Sequence, residues 1–271
     1  MTPDQTPPPA QSERIAPPPL PPHAALFIDF DGTLAPLAPR PQDVQVPGWV
    51  LPTLQHLHGA LDGAVAVVSG RPVAQIDGFL APLVLPAAGV HGVERRGSDG
   101  LLRVEAAEPP APLVAAAQAL VAQHPGLLFE PKTGGFALHY RSRPLLGELC
   151  HDTLQAALGA LPQALTWQIM AGHCVYEIKQ RKVSKGVALV ALQADERFTG
   201  RLPVYVGDDV TDEDGIAAAQ AAGGFGVRVG PGATQARYWL EDIDAVSRWL
   251  GEAVRRLPAP GGGSPPPQPL A

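Results

Sequence analysis

Two aspartates close the apolar run Leu26-Phe27-Ile28-Asp29-Phe30-Asp31-Gly32-Thr33-Leu34. Side chains alternate faces along a strand, so Asp29 and Asp31 project to one side and Phe30 to the other. Gly32 permits a sharp turn just beyond them. A carboxylate inside a buried run is costly unless a cation or hydrogen bonds satisfy it, so Asp29 demands partners from elsewhere in the chain. Three stretches offer them: Ser69-Gly70-Arg71-Pro72, Val183-Ser184-Lys185-Gly186, and the acidic loop Gly207-Asp208-Asp209-Val210-Thr211-Asp212-Glu213-Asp214. Lys185 opens an apolar helical stretch, where the helix dipole disfavours a cation, and a bound anion would explain it. The acidic loop repels itself, so it is either a hydrated turn or a metal site, and Asp208 directly at a strand end favours the metal.

The surrounding elements put these residues on one edge. Gly63 to Val68 reads as a strand buried on both faces, separated from the first strand by a helical stretch with Leu51, Leu54, Leu57 and Leu61, and strand, helix, strand implies a parallel crossover. Val84 to Val90 and Leu202 to Val206 are further apolar strands, Gly223 to Val229 another, and Trp239 to Leu250 reads as a closing helix. In an open parallel sheet, ligands bind at the carboxyl ends of the strands. Three carboxylates with neither sulfur nor paired histidines suit a hard cation, and Mg2+ fits best because it uses few carboxylates. Metal, lysine, serine and the amides before the Pro72 helix then converge on a phosphoryl group. Asp29 is the candidate nucleophile. Asp31 is placed to protonate the leaving oxygen and later to activate water. In Gly89-Val90-His91-Gly92 the glycines let backbone approach a ligand, so His91 is either structural or a ligand contact.

From Ser98 the texture changes to short strands and two helices across roughly 80 residues, a small α+β domain inserted into the larger one. Its polar residues recur at period two: Glu130 with Lys132, His139 with Arg141, Glu177 with Lys179. Each pair can share a strand face, which is either a solvated surface or a set of groups that read the hydroxyls of a sugar.

The formal net charge of -6 argues against a nucleic-acid or anionic-membrane binder. No stretch holds the ~18 uninterrupted apolar residues that a span needs. Cys150 and Cys174 are too few for a disulfide framework and read as reduced thiols of a cytoplasmic protein. Nine prolines in the first 22 residues predict a disordered tail, as does the proline- and glycine-rich run 258–271. The expected domains are a core at 23–98 and 182–257 with a cap at 99–181.

Asp29-Phe30-Asp31-Gly32-Thr33, Ser69, Lys185 and Gly207-Asp208-Asp209 together resemble, in order, the four motifs of the haloacid dehalogenase (HAD) superfamily of phosphatases. Ser69-Gly70-Arg71, Gly89-Val90-His91-Gly92, Glu177-Ile178-Lys179 and Val206 to Glu213 are similar to the trehalose-6-phosphate phosphatase family. The resemblance covers about residues 23–250. It implies an α/β, Rossmann-like parallel-sheet core with an inserted α+β cap, Mg2+ dependence, and hydrolysis of trehalose 6-phosphate. It further implies Asp29 as nucleophile, Asp31 as general acid and base, and Ser69 and Lys185 as phosphate ligands. Metal ligation falls to Asp29, the Asp31 carbonyl and Asp208, with Asp209 and Asp212 in an outer shell. Arg71, His91, Gly92, Glu130, Lys132, His139, Arg141, Glu177 and Lys179 are implied as sugar readers. Gln180 departs from the proline the family commonly carries after Glu-Ile-Lys. The expected partner is a small sugar phosphate handled by a monomer, in functional pairing with a trehalose-phosphate synthase. The competing readings are a sucrose-phosphate or broad sugar-phosphate phosphatase and a catalytically silent sugar-phosphate-binding protein.

Overall fold

The computed structural model describes residues 14–38, 40–172 and 174–258. The chain divides into two compact units, one formed by the chain up to Leu102 and from Lys185 onward, the other by Arg103–Ser184.

The first unit is built on β1 (Ala24–Ile28), buried along its whole length. Strands β2 (Val65–Val68) and β10 (Leu202–Gly207) flank it in parallel, with Phe27 in register with Ala66 on one side and Tyr205 on the other. Beyond β10 lie β11 (Phe225–Val229) and β12 (Tyr238–Leu240). Beyond β2 come β3 (Ala87–Gly89) and the antiparallel β4 (Glu94–Arg96), and the order ends with β5 (Leu102–Val104), where the chain passes from one unit to the other. The order β12-β11-β10-β1-β2-β3-β4-β5 reverses direction at β1, so a crevice opens at the carboxyl ends of β1 and β10. Helices α1 (Val50–Ala60), α2 (Val73–Leu80), α5 (Lys185–Gln193), α6 (Glu213–Ala221) and α7 (Ile243–Arg256) complete this unit. In α1 the buried residues are Val50, Leu54 and Leu57, the i, i+4, i+7 stripe of a half-buried helix.

Four sequence expectations change. The strand expected over Val84 to Val90 is only Ala87–Gly89, because Pro82 and Pro86 bring no amide to the ladder. The helix expected from Trp239 begins at Ile243, where the Asp242 carboxylate accepts the Ala245 N–H at 2.8 Å. Tyr238–Leu240 pairs with β11 instead, a pattern that suits aromatic residues. The antiparallel β4 had no expected counterpart. The amino-terminal tail is not wholly loose: Leu20 is buried, the Ile15 carbonyl accepts the Trp239 N–H at 2.8 Å, the Pro18 carbonyl accepts Trp249 Nε1 at 2.8 Å, and the Arg14 guanidinium lies 4.4 Å from the Trp239 ring centroid. Prolines hold this segment extended so that its carbonyls meet indole and backbone donors. Residues 1–13 and 259–271 lie outside the described residues.

The second unit is an antiparallel sheet of order β6-β7-β9-β8, from β6 (Leu128–Lys132), β7 (Gly135–His139), β8 (Trp167–Gly172) and β9 (Val175–Gln180). One face carries Phe136, Leu138, Trp167 and Ile178, which pack with Leu113, Leu120, Cys150 and Leu154 of α3 (Ala111–Gln123) and α4 (Gly147–Gly159). The period-two alternation turns the polar residues of the same strands to the other face. Cys150 and Cys174 are free thiols.

Candidate active site

The Asp29 N–H donates to the Val206 carbonyl at 2.9 Å, so the β1 ladder extends one residue and delivers a carboxylate that is only 3 % exposed. The helix that follows the inserted unit starts at Lys185, whose Nζ lies 3.0 Å from Asp29 Oδ1 and 2.7 Å from Asp212 Oδ1. The anions that explain a lysine at a helix start are therefore the chain's own. Asp212, fully buried, organises the group: Oδ1 also accepts the Tyr205 hydroxyl at 2.7 Å, and Oδ2 accepts the N–H groups of Asp208 and Asp209 at 3.2 and 2.9 Å. Asp208 stands at the end of β10, where Thr33 Oγ1 donates to its Oδ1 at 3.2 Å.

Carboxylate oxygens of Asp29, Asp208 and Asp212 lie within 4.8 Å of one another, an all-oxygen donor set that fits a hard divalent cation. Asp212 has both oxygens committed to four donors, so Asp29 and Asp208 are the free-handed ligands. Burial pushes the Asp29 carboxyl well above its usual range, against the pull of Lys185, and Asp212 and Asp208 add to the rise. Burial, then Asp212, takes Asp208 up to about 6, with Lys185 and the Thr33 hydrogen bond opposing. Burial by itself would lower the Lys185 pKa, but Asp29 and Asp212 outweigh it and raise it, so the ammonium stays charged. Burial and Asp212 likewise keep Tyr205 a protonated donor. One ammonium among three acids leaves the cluster short of positive charge.

Two predictions arise here. A raised carboxylate pKa means that protons compete with the cation. Mg2+ affinity should therefore fall by about tenfold per unit as pH drops below the value near 6 of Asp208; calorimetric titrations at pH 5, 6 and 7.5 check this, and a flat profile would contradict it. Gly32 sits at φ 81°, and a Cβ there would lie 2.0 Å from Asp208 Oδ2. Gly32→Ala should displace that carboxylate and weaken Mg2+ binding by about tenfold or more while the far-ultraviolet circular dichroism is unchanged.

Asp31 is held apart from the acids. Arg71 clasps it bidentately, Nε to Oδ2 at 2.6 Å and Nη2 to Oδ1 at 2.7 Å. Ser69, buried at the end of β2, accepts the Arg71 N–H on Oγ at 3.1 Å. The turn is tied to the next loop by His91 N–H to the Ser69 carbonyl and Val90 N–H to the Arg71 carbonyl, both 3.0 Å. Val90 and His91 take φ 48° and 55°, a left-handed conformation that costs a β-branched residue about 1–3 kcal/mol, followed by Gly92 at φ 110°. The His91 ring crowds Gly70, where a Cβ would lie 2.9 Å from Nε2. At the amino terminus of α2, Glu94 Oε2 accepts the Val73 N–H at 2.7 Å.

Of the predicted residues, Asp29, Lys185, Asp208 and Asp212 thus form one cluster, and Asp31, Ser69, Arg71 and His91 a hydrogen-bonded set, with Gly92 next in the His91 turn. Asp209 lies outside the cluster, exposed, in a reciprocal cap with Asp212. In the second unit, Glu130 pairs with His139 at 2.7 Å and Lys132 with Glu177 at 2.5 Å. Register places Glu130 and Glu177 on either side of Ala137, and Lys132 and Lys179 on either side of Gly135, so these side chains share one face. Arg141 falls beyond β7, exposed in a turn. Thr33, Tyr205 and Glu94 were not foreseen. Tyr205 could have been, as the one hydroxyl within an apolar strand.

The fold is that of the HAD superfamily. A HAD-superfamily phosphatase from Bacteroides thetaiotaomicron superposes with a TM-score of 0.57 at 15 % identity, covering 92 % of this chain and 97 % of that one. The C-terminal domain of the Candida albicans trehalose-6-phosphate phosphatase superposes with a TM-score of 0.67 at 20 % identity, covering 86 % and 92 %. Within that class the chain belongs to the trehalose-phosphatase family, whose model matches residues 27–243. The trehalose-6-phosphate phosphatase of Escherichia coli K12 is 42 % identical over 233 residues, which cover 83 % of this chain and 85 % of that protein.

Proposed function

We propose that the chain hydrolyses trehalose 6-phosphate to trehalose and phosphate by two displacements at Asp29. The observation that carries the reading is a nearly inaccessible carboxylate at a sheet's switch point, 3.0 Å from an ammonium and backed by two more acids. Family membership supports the substrate. In the first step an Asp29 oxygen bonds to phosphorus, the bond from phosphorus to the sugar oxygen breaks, and Asp31 gives that oxygen a proton. In the second, Asp31 takes a proton from water, the water oxygen bonds to phosphorus, and phosphate leaves as the Asp29 carboxylate is restored. Lys185 and Ser69 hold the phosphoryl oxygens. Asp29, the Asp31 carbonyl and Asp208 would hold Mg2+, with Asp209 and Asp212 behind them, and the ion supplies charge neutralisation for the transferring group. Uncatalysed phosphate monoester hydrolysis is accelerated by up to ~10^21-fold in enzymes, which makes such focused charge necessary.

We assign recognition of the disaccharide to Glu130, Lys132, His139, Arg141, Glu177 and Lys179; charged pairs such as Lys132 with Glu177 suit hydroxyls, which accept and donate. Among the described residues no helix is long and apolar enough to cross a membrane. The reading extends to a monomer acting in the cytoplasm on the product of a trehalose-phosphate synthase. The test is phosphate release from trehalose 6-phosphate, sucrose 6-phosphate and glucose 6-phosphate at equal concentration, with and without Mg2+. Trehalose 6-phosphate is expected to exceed the others by about 10^2-fold in kcat/KM, and only with Mg2+. Equal rates across the panel would favour a broad phosphatase, and binding without release a silent sensor.

A further inference from the structure

Resting on that reading, we infer that Arg71 is a positioning residue for Asp31 and not a reader of the sugar. A guanidinium that reads hydroxyls needs a donor fork directed at the ligand. The Nε and Nη2 edge of Arg71 is instead closed on both oxygens of Asp31, at 2.6 and 2.7 Å. The side chain is 10 % exposed, lies 5.0 Å from the Phe79 ring centroid, and donates from Nη1 to Gln75 Oε1 at 3.3 Å. Its backbone is pinned on both sides, by the N–H to Ser69 Oγ and by the carbonyl that accepts from Val90. Such a guanidinium has little freedom to swing toward a substrate.

The chemistry gives the clasp a purpose. Asp31 follows a strand end, has no backbone N–H to its carboxylate among the described residues, and must place one oxygen beside the leaving oxygen and later beside water. The planar fork of Arg71 fixes the carboxyl plane in a way that a point charge cannot. Because Ser69 holds the Arg71 amide, the group that grips phosphate and the group that aims the proton donor belong to one rigid turn. The approach of the phosphoryl group and the aim of Asp31 are thereby set together. The left-handed Val90, which keeps that turn in place, is a conformation that only a surrounding structure imposes.

The test is a series of aryl phosphates whose leaving phenols span several units of acidity, with kcat/KM reporting the first displacement. A poor leaving group needs the Asp31 proton and a good one does not. Arg71→Met should lose about 10^2-fold on the poorest leaving group and less than about threefold on the best, steepening the dependence as Asp31→Asn does. Arg71→Lys, which keeps charge without the fork, should steepen it nearly as much, and adding Arg71→Met to Asp31→Asn should cost little more. A uniform loss across the series would mean a structural role, and an unchanged series with a loss on trehalose 6-phosphate alone would mean a sugar contact; either overturns the inference. Wild-type turnover of trehalose 6-phosphate, measured alongside, tests the proposed substrate separately, since the aryl series retains its meaning whichever sugar is preferred.

Discussion

Asp29→Asn is expected to lower phosphate release by about 10^4-fold or more without unfolding the protein, because an amide cannot form the acyl phosphate. Its effect on stability carries further information. Burial and the neighbouring acids raise the Asp29 pKa, so the folded state binds this proton more tightly than the unfolded chain does. The ionised group therefore opposes folding as pH rises toward and beyond its folded value, and the opposition vanishes in acid. A neutral asparagine removes that cost, while Lys185 keeps Asp212 as a partner at 2.7 Å. Metal-free Asp29→Asn should melt at or above the wild-type temperature at pH 8, and Mg2+ should raise the melting temperature of the wild type more than that of the variant. Retained turnover would dispose of the nucleophile assignment. A large fall in melting temperature would instead make Asp29 a structural ion-pair member.

Lys185→Met should have the second large effect, and here stability and activity fall together. The thioether stem fills most of the volume, yet Asp29, Asp208 and Asp212 are left within 4.8 Å of one another with no ammonium between them. Removing one partner from a buried pair typically costs about 3–5 kcal/mol. For a domain of this size that is a drop of about 10 °C in melting temperature without metal at pH 7.5. The sign with pH follows from the unpaired acids: protonation discharges them, so the gap to wild type should narrow between pH 7.5 and 5. Mg2+ should narrow it as well, since it supplies the missing charge. Phosphate release should fall by about 10^2–10^3-fold even with the ion present. Equal melting curves for variant and wild type would show that Asp212 and its donors alone hold the cluster.

How far the site was legible depends on where each signal lies. Asp29 stood out because a charge within an apolar strand has few explanations, and Lys185 because a cation at a helix start has few. The link between Lys185 and Asp212 was not legible. Asp212 reads as one more acid in a crowded loop until the turn over Val210–Asp212 directs its oxygens to Lys185, Tyr205 and two amides. Glu94 was not legible either, since only the antiparallel return of β4 brings its carboxylate to the Val73 N–H at the amino terminus of α2. The docked segment around Leu20 was hidden by composition: prolines signal a loose chain, and only the indoles of Trp239 and Trp249 show where its carbonyls bind.

By itself the sequence determined the parallel α/β core, the inserted sheet with one polar face, and the strand ends that carry Asp29, Asp31, Ser69 and Asp208. These follow from period-two and period-3.6 patterns and from the cost of burying charge, which are local properties of a chain. The tertiary structure decided which acid faces the lysine, which arginine clasps Asp31, and how the loop of Val90 and His91 is strained to hold Ser69 and Arg71. Those pairings join residues 27 to 156 positions apart, Lys185 with Asp212 and with Asp29. No local pattern specifies them, because the geometry of a hydrogen bond is set by the packing of both partners' elements.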